Sequence, residues 1–220
     1  MVGSAGADLA IIESFMTLIA PRQLLPQYAL TSEWPRLFRF TYEQYYQLTD
    51  LGFFRDKRVE LIEGEIFDMA PQKDLHTAAT LLVQYALQRA LPDLLVRTQM
   101  PLHVAANSEL EPDVSIVTGT IRDYVGTGHP TTALLVVEVS DTTLTHDRTT
   151  KASLYAAAGI KDYWVLNLRD RCLELFRQPI EDSASPSGWR YSSITMLKSS
   201  DAVSPFINAN SSILVANILP

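Results

Sequence analysis

Residues 133–139 read ALLVVEV, an almost wholly apolar run that is rich in β-branched side chains. Such a run is typical of a central strand that is buried on both faces of a sheet. The next segment, from about His146 to Ala158, has helical spacing and ends at Gly159, a common helix-ending residue. Tyr163 to Leu168 has the pattern of another strand. The order strand, helix, strand therefore predicts one crossover unit whose two strands are parallel.

The sequence after this unit predicts one more hairpin and then little regular structure. The predicted features are a turn at 169–171, a strand at 172–177, a polar loop at 179–188, an edge strand at 189–196 and a short apolar segment at 213–215. Residues 201–220 are otherwise predicted to be a peripheral C-terminal tail.

Upstream, the sequence predicts two helices and several short strands. Thr41 followed by Gln44 is a capping-box pattern that opens the first helix. Asp74 is the predicted cap of the second helix. The apolar stripe of that helix is Leu75, Ala79, Leu82 and Ala86. The predicted strands are a hairpin within 58–69 that turns at Glu63-Gly64, then 94–100, 102–105 and 113–117.

These patterns together predict an α/β fold of the mixed α+β kind. Its core would be a mixed central β-sheet flanked by helices, with extra hairpin strands. Three prolines interrupt the first 36 residues, which are read as an N-terminal extension. The predicted domain organisation is an extension over 1–36, a folded domain over 37–200 and a tail over 201–220.

Charge, cysteine content and hydropathy limit the classes of function that the chain can have. The net charge of −7 argues mildly against a general nucleic-acid binder, although part of it could belong to a metal site. Cys172 is the sole cysteine, so the chain forms no internal disulfide and a cytoplasmic location is expected. No run approaches the roughly 18 apolar residues of a membrane span, so no membrane partner is expected.

Two carboxylates stand in or beside the predicted central strands. An ionised Glu138 inside a buried strand is costly unless it is paired or bound to a metal. It could instead lie at an exposed strand end or pair with an arginine. Asp113 opens a strand after Pro112, which is also what an ordinary turn before a strand looks like.

The position of Lys151 on its helix favours a functional role for both carboxylates. Asp147, Lys151, Leu154, Tyr155 and Ala158 follow helical spacing and form one stripe. Because the apolar members of a stripe should face the sheet, Lys151 is predicted to point toward the strand that holds Glu138. The alternatives are a lysine that extends to solvent at the edge of the stripe, or a surface ion pair with Asp147.

Two carboxylates with a lysine above them suit phosphodiester cleavage. One or two carboxylates hold Mg²⁺, which activates a water and neutralises phosphate charge. A neighbouring lysine can stabilise the extra charge of the transition state. A different hydrolase, with Asp113 and Glu138 as an acid–base pair, is disfavoured because Lys151 would keep both carboxylates ionised.

A family resemblance extends over about residues 37–179 in the same order. Pro112-Asp113 followed by Glu138-Val139-Ser140 resembles the signature of the PD-(D/E)XK nuclease superfamily, and the chain is similar to the Uma-type putative restriction endonuclease family. The matching stretches are FTYEQY at 40–45, VELIEGEI at 59–66, His76, EPDV at 111–114, VVEVS at 136–140, Asp147-Arg148 with Lys151, Tyr155, and GIKDYWV at 159–165.

The resemblance implies a restriction-endonuclease-like core and a Mg²⁺-dependent endonuclease, with Mn²⁺ as a substitute. It implies Asp113, Glu138 and the Val139 carbonyl as metal ligands. The lysine that the superfamily carries two residues after the glutamate is replaced here by Ser140. In the Uma-type branch it comes from the next helix, which here supplies Lys151.

Glu60 and His76 also match family positions, and the resemblance adds them to the candidate catalytic residues. Glu60 would complete the metal site, or would be a surface glutamate. His76 would contact phosphate or carry a proton, or would bond locally at its helix start. Gln99 could also touch the site. DNA is the implied substrate, and cutting two strands favours a homodimer. The alternative is a catalytically degenerate member that binds nucleic acid or protein.

Overall fold

The computed structural model describes residues 37–220, so the predicted N-terminal extension lies outside the described residues. The helices are α1 (Tyr42–Asp50), α2 (Asp74–Ala90) and α3, whose successive segments are Leu144–His146, Asp147–Lys151 and Ala152–Ala157. The strands are β1 (Val59–Ile62), β2 (Glu65–Asp68), β3 (Leu95–Thr98), β4 (Leu102–Ala105), β5 (Ser108–Leu110), β6 (Val114–Val117), β7 (Leu135–Ser140), β8 (Asp162–Asn167), β9 (Cys172–Glu181), β10 (Trp189–Lys198), β11 (Ala202–Val203) and β12 (Ile213–Leu214).

A mixed six-stranded sheet in the order β10-β9-β8-β7-β6-β3 forms the centre of the fold. Strands β7 and β8 are parallel, with Val136 opposite Tyr163 and Ser140 opposite Asn167, and the other neighbours are antiparallel. Helix α3 makes the connection between the two parallel strands. The mixed sheet and the crossover unit predicted from the sequence are therefore confirmed.

The two faces of β7 pack against different helices, because successive side chains of a strand point to opposite faces. Leu135 and Val137 pack in one apolar cluster with the α2 residues Val83 and Leu87. Val136 belongs to a second cluster, which contains Leu154 and Tyr155 of α3. Since Glu138 shares a face with Val136, the strand directs it toward α3.

A smaller antiparallel sheet in the order β2-β1-β5-β4 lies beside the central sheet. The β1–β2 hairpin turns at Glu63-Gly64, as predicted, with φ of 49° and 79° at these two residues. Strand β5 was not predicted, since three residues are too few to show a period. The capping box that opens α1 is confirmed, because the Thr41 side chain accepts from the Gln44 N–H and the Gln44 side chain accepts from the Thr41 N–H.

The buried face of α2 differs from the predicted stripe. Ala79, Val83 and Leu87 are fully buried, whereas Leu75 is 63% exposed. The cap residue is Lys73, not Asp74. Two members of the predicted stripe do face the core, since Ala79 is buried and Ala86 packs against the same cluster, but the centre of the buried face lies at Val83 and Leu87. Both faces of the helix carry apolar side chains, so the sequence pattern fits either face. Packing against the sheet buries the face that contains Val83 and Leu87.

Two predictions for the C-terminal part are wrong. Strand β9 continues through Glu181, inside the predicted polar loop, because it pairs along its length with β10. Residues 201–220 are not peripheral, since several of their apolar side chains join the cluster beneath the central sheet. These side chains are Val203, Ile213, Val215, Ile218 and Leu219. They are separated by polar turns, so their spacing has neither the helical nor the strand period that would predict burial.

Within residues 37–220, no helix has the length and apolar character that crossing a membrane requires.

The orientation of α2 can be tested with a matched pair of substitutions. Leu87→Ala should lower the free energy of unfolding by about 2–5 kcal/mol, because it opens a cavity in the core. Leu75→Ala, on the exposed face of the same helix, should change it by less than about 0.5 kcal/mol. Urea denaturation of the full chain measures both. A larger loss for Leu75→Ala would favour the predicted stripe over the observed one.

Candidate active site

A cleft of about 300 Å³ opens at the end of β7, between the β1–β2 hairpin and the first turns of α2 and α3. The structure brings six of the predicted site residues into its lining, namely Glu60, His76, Asp113, Glu138, Val139 and Lys151. Gln99 is not among the lining residues. Its backbone N–H bonds the carbonyls of Pro112 and Asp113, so it supports the loop before β6.

Asp113 occupies the place where pairing between β6 and β7 ends. The last paired residues are Val114 and Val137, so the Val139 N–H has no partner on β6. Asp113 Oδ2 accepts this N–H at 2.8 Å, and the same oxygen lies 3.2 Å from His76 Nε2. Asp113 Oδ1 accepts no hydrogen bond from any residue in 37–220. The carboxylate is thus held in place through Oδ2, and Oδ1 remains available to bind a ligand.

Glu138 is buried, as its position in the strand predicts, and it is not at an exposed end. Its Oε1 accepts from Lys151 Nζ at 3.1 Å and from the Tyr155 hydroxyl at 2.7 Å. No hydrogen bond to Glu138 Oε2 comes from the described part of the chain. Burial raises the pKa of Glu138 well above its usual range, although the Lys151 charge opposes this rise. The Lys151 charge therefore favours the ionised form of Glu138, as expected from the sequence, while burial acts against it.

Lys151 points toward the sheet, as its stripe predicts. It is only 7% exposed, and its Nζ lies 3.1 Å from an oxygen of Glu60 and 3.1 Å from an oxygen of Glu138. Burial lowers the pKa of Lys151, but the surrounding carboxylates, Glu138 first, outweigh it and raise this pKa well above its usual value. The lysine thus remains an ammonium group. Neither an extended solvent-facing lysine nor a surface pair with Asp147 describes it.

Glu60 is a buried partner of Lys151, not a surface glutamate of an edge strand. Strand β1 is internal in its sheet, between β2 and β5. Glu60 Oε1 accepts the backbone N–H of Glu111 at 2.8 Å and the Lys151 ammonium. The glutamate therefore holds the lysine from the side opposite Glu138.

His76 lies in the first turn of α2 and bonds across the cleft, not locally. Burial disfavours its charged form, but the hydrogen bond to Asp113 and the charge of that carboxylate raise the pKa of His76 overall. Its Nδ1 is buried without a hydrogen-bond partner among the described residues. The ring is thus oriented by Asp113.

Two further residues belong to the site, although the sequence pattern, which places them on the α3 stripe and among the family matches, assigns neither a role in it. The Tyr155 hydroxyl orients Glu138, and Asp147 is buried with its carboxylate accepting from Thr143 Oγ1 at 2.6 Å. The segment Asp147–Lys151 is a π-helical turn, a feature often found at functional sites. Both residues carry polar atoms on a stripe that is predicted to face the sheet. That combination is the sequence signal by which they could be identified.

The donor set fits a magnesium ion. No group of three or more His, Cys, Asp or Glu side chains in residues 37–220 is arranged to hold a metal. Mg²⁺ does not need such a cage, because one or two carboxylates with several waters commonly bind it. Asp113 and Glu138 each keep one oxygen that is not used in a hydrogen bond within this region. The two carboxylates are therefore candidate ligands for this ion.

The fold and the arrangement of the cleft define a protein of the restriction-endonuclease-like class. The chain belongs to the Uma2 family, described as putative restriction endonuclease, whose family model matches residues 42–205. A solved structure, that of a putative nuclease belonging to DUF820 from Anabaena variabilis, is similar with a TM-score of 0.61 and 10% sequence identity. The similarity covers 81% of this chain and 97% of that one, and it shows the shared fold. No curated protein matches the chain.

The pairing of Lys151 with the glutamates can be tested through stability. Lys151→Met should lower the free energy of unfolding by about 3–5 kcal/mol, since it leaves buried carboxylates without their cation. Combining it with Glu138→Gln should cost less than the sum of the single losses, because the two residues are in contact. The control is Lys57→Met in the exposed Lys57–Asp68 pair, which should cost at most about 1 kcal/mol. Additive losses in the double variant would contradict the pairing.

Proposed function

We propose that the protein hydrolyses phosphodiester bonds of DNA as a Mg²⁺-dependent endonuclease, with Mn²⁺ as a substitute metal. One observation carries the proposal: a buried, charged Lys151 lies beside Glu138, in a cleft where Asp113 and Glu138 each keep an available oxygen. Membership of a putative restriction endonuclease family supports the nuclease class.

In this proposal Asp113, Glu138 and the Val139 carbonyl hold the metal. When bound, Mg²⁺ lowers the pKa of a coordinated water and neutralises charge on the phosphate. Lys151 stabilises the extra negative charge of the transition state and helps to orient the attacking water. It thereby takes the part of the lysine that is replaced by Ser140.

The neighbouring side chains position these groups. Glu60 holds Lys151 against Glu138, and Tyr155 fixes the rotamer of the glutamate. His76 orients Asp113 and could carry a proton between the site and solvent, since it lines the same cleft. Glu60 and His76 are therefore assigned supporting roles in catalysis.

A binding module without catalysis is the second candidate. The acidic net charge and the replacement of the usual lysine by Ser140 favour it. Under either function the buried free thiol of Cys172 is consistent with a cytoplasmic protein. Cleavage of both strands of a duplex would need two sites, and a homodimer would supply them.

Metal binding can be tested through Asp113. Mg²⁺ should raise the melting temperature of the wild type and leave that of Asp113→Asn unchanged, because a ligand that binds only the folded state stabilises it. Asparagine is preferable to alanine, since it can still accept the buried Val139 N–H, whose loss would cost about 1–3 kcal/mol. Thermal melts with and without Mg²⁺ measure the difference. An equal Mg²⁺ shift in both proteins would remove Asp113 from the ligand set.

Lys151→Ala separates the enzyme from the binding module. If Lys151 serves the transition state, turnover should fall by about 10²–10³ while DNA and metal affinities remain nearly unchanged. Cleavage of supercoiled and single-stranded DNA is measured on gels, and binding is measured in Ca²⁺. Assays are run below the melting temperature of the variant, with Lys57→Ala as the control.

Two outcomes would contradict the proposal in different ways. Undiminished cleavage by Lys151→Ala would remove this residue from the mechanism. A wild-type protein that cuts no DNA with Mg²⁺ or Mn²⁺, but still binds it, would favour the binding module.

A further inference from the structure

One wall of the cleft carries a half-exposed aromatic pair. Phe67 lies opposite Glu60 in the register of β1 and β2, so both side chains are on the same face of the hairpin. The Phe67 ring is 40% exposed, and its centroid lies 5.9 Å from that of His146 at the start of α3. Both rings line the same cleft as Asp113 and Glu138.

Exposure alone does not make Phe67 functional, because isolated exposed apolar side chains are normal on protein surfaces. Its location is the informative feature. The ring contacts a second aromatic ring, and the pair lies on the wall of the cleft that contains the proposed reacting groups. Burial and the Lys151 charge lower the pKa of His146, which favours the uncharged ring.

The cations of the cleft are each paired with a carboxylate, which limits one source of binding energy for nucleic acid. Its Lys and Arg side chains are Arg58, Lys73 and Lys151, and each lies within 4 Å of a carboxylate. Arg58 is 2.9 Å from Glu111, and Lys73 is 3.8 Å from Asp141. Duplex binding depends mainly on cations that contact successive phosphates. The part of the cleft that the structure describes offers no unpaired cation for this purpose.

Stacking supplies binding energy without such cations. A base on an aromatic side chain contributes enough that alanine substitution typically weakens binding by about 5- to 150-fold, and any base can stack. The base must first be unpaired, because stacked bases inside a duplex do not expose their faces.

We propose that Phe67 and His146 form a platform on which a base next to the scissile phosphate stacks. The substrate is then a single-stranded or frayed segment of nucleic acid. This inference rests on the proposed phosphodiesterase function and specifies its substrate class.

The test measures binding of a single-stranded oligonucleotide that contains 2-aminopurine, in Ca²⁺, and compares it with the matching duplex. The wild type should prefer the single strand, and stacking should quench the fluorescence of the probe. Phe67→Ala should weaken single-strand binding by about 5- to 150-fold, and Phe67→Trp should restore it. Phe53→Ala is the control, since Phe53 is 68% exposed and does not line the cleft. Thermal melts check that each variant is folded.

The outcomes separate this inference from the proposed function. If the wild type binds and cuts duplex but not single strands, the platform is wrong and the nuclease proposal stands. The platform is also wrong if Phe67→Ala and Phe53→Ala behave alike, or if Phe67→Ala weakens single-strand and duplex binding equally. A wild type that neither binds nor cuts any nucleic acid overturns both proposals.

Discussion

The carboxylate of Glu138 lies inside a sheet, in a strand whose neighbouring side chains are apolar. Removing an ionised carboxylate from water costs several kcal/mol in a protein interior, so such a group needs compensation. Lys151 and Tyr155 provide it from α3, four residues apart on one face of that helix. The crossover from β7 to β8 places this helix over the strand, and Glu60 secures the lysine from the smaller sheet. The two sheets and α3 therefore meet at one ion-pair network.

The same constraint supports the proposal that Lys151, from another element, takes the place of the lysine that Ser140 replaces. Ser140 shares the face of Glu138, because side chains two residues apart on a strand point the same way. A lysine at position 140 would lie on the same face of β7 as Glu138, and Lys151, about two turns into α3, lies 3.1 Å from that glutamate. Asp113 is positioned differently, since it accepts the N–H that β7 leaves unpaired where β6 ends. Both carboxylates are thus fixed through one oxygen, and the other oxygen of each accepts no hydrogen bond from residues 37–220.

The sequence predicted features that depend on a single dominant pattern. The apolar run of β7 and the helical spacing of α3 predicted that β7 and β8 are parallel. The position of Lys151 on the stripe predicted that it faces Glu138. Features chosen by packing among near-equal alternatives were not predictable, as the buried face of α2 shows. The burial of Ile218 and Leu219 depends on long-range contacts that no local period reveals. The hydrogen bond of Tyr155 to Glu138 was not predictable, because sequence spacing gives the direction of a side chain but not the partner of its hydroxyl.

The proposed function requires that Asp113 and Glu138 share a divalent metal beside Lys151. A crystal of the wild-type protein grown with Mn²⁺ tests it most directly, through anomalous diffraction. We expect one strong peak within about 2–2.3 Å of an oxygen of Asp113, an oxygen of Glu138 and the Val139 carbonyl. A crystal with Mn²⁺ bound elsewhere, and with Lys151 still joined to both glutamates and no peak between Asp113 and Glu138, would contradict it.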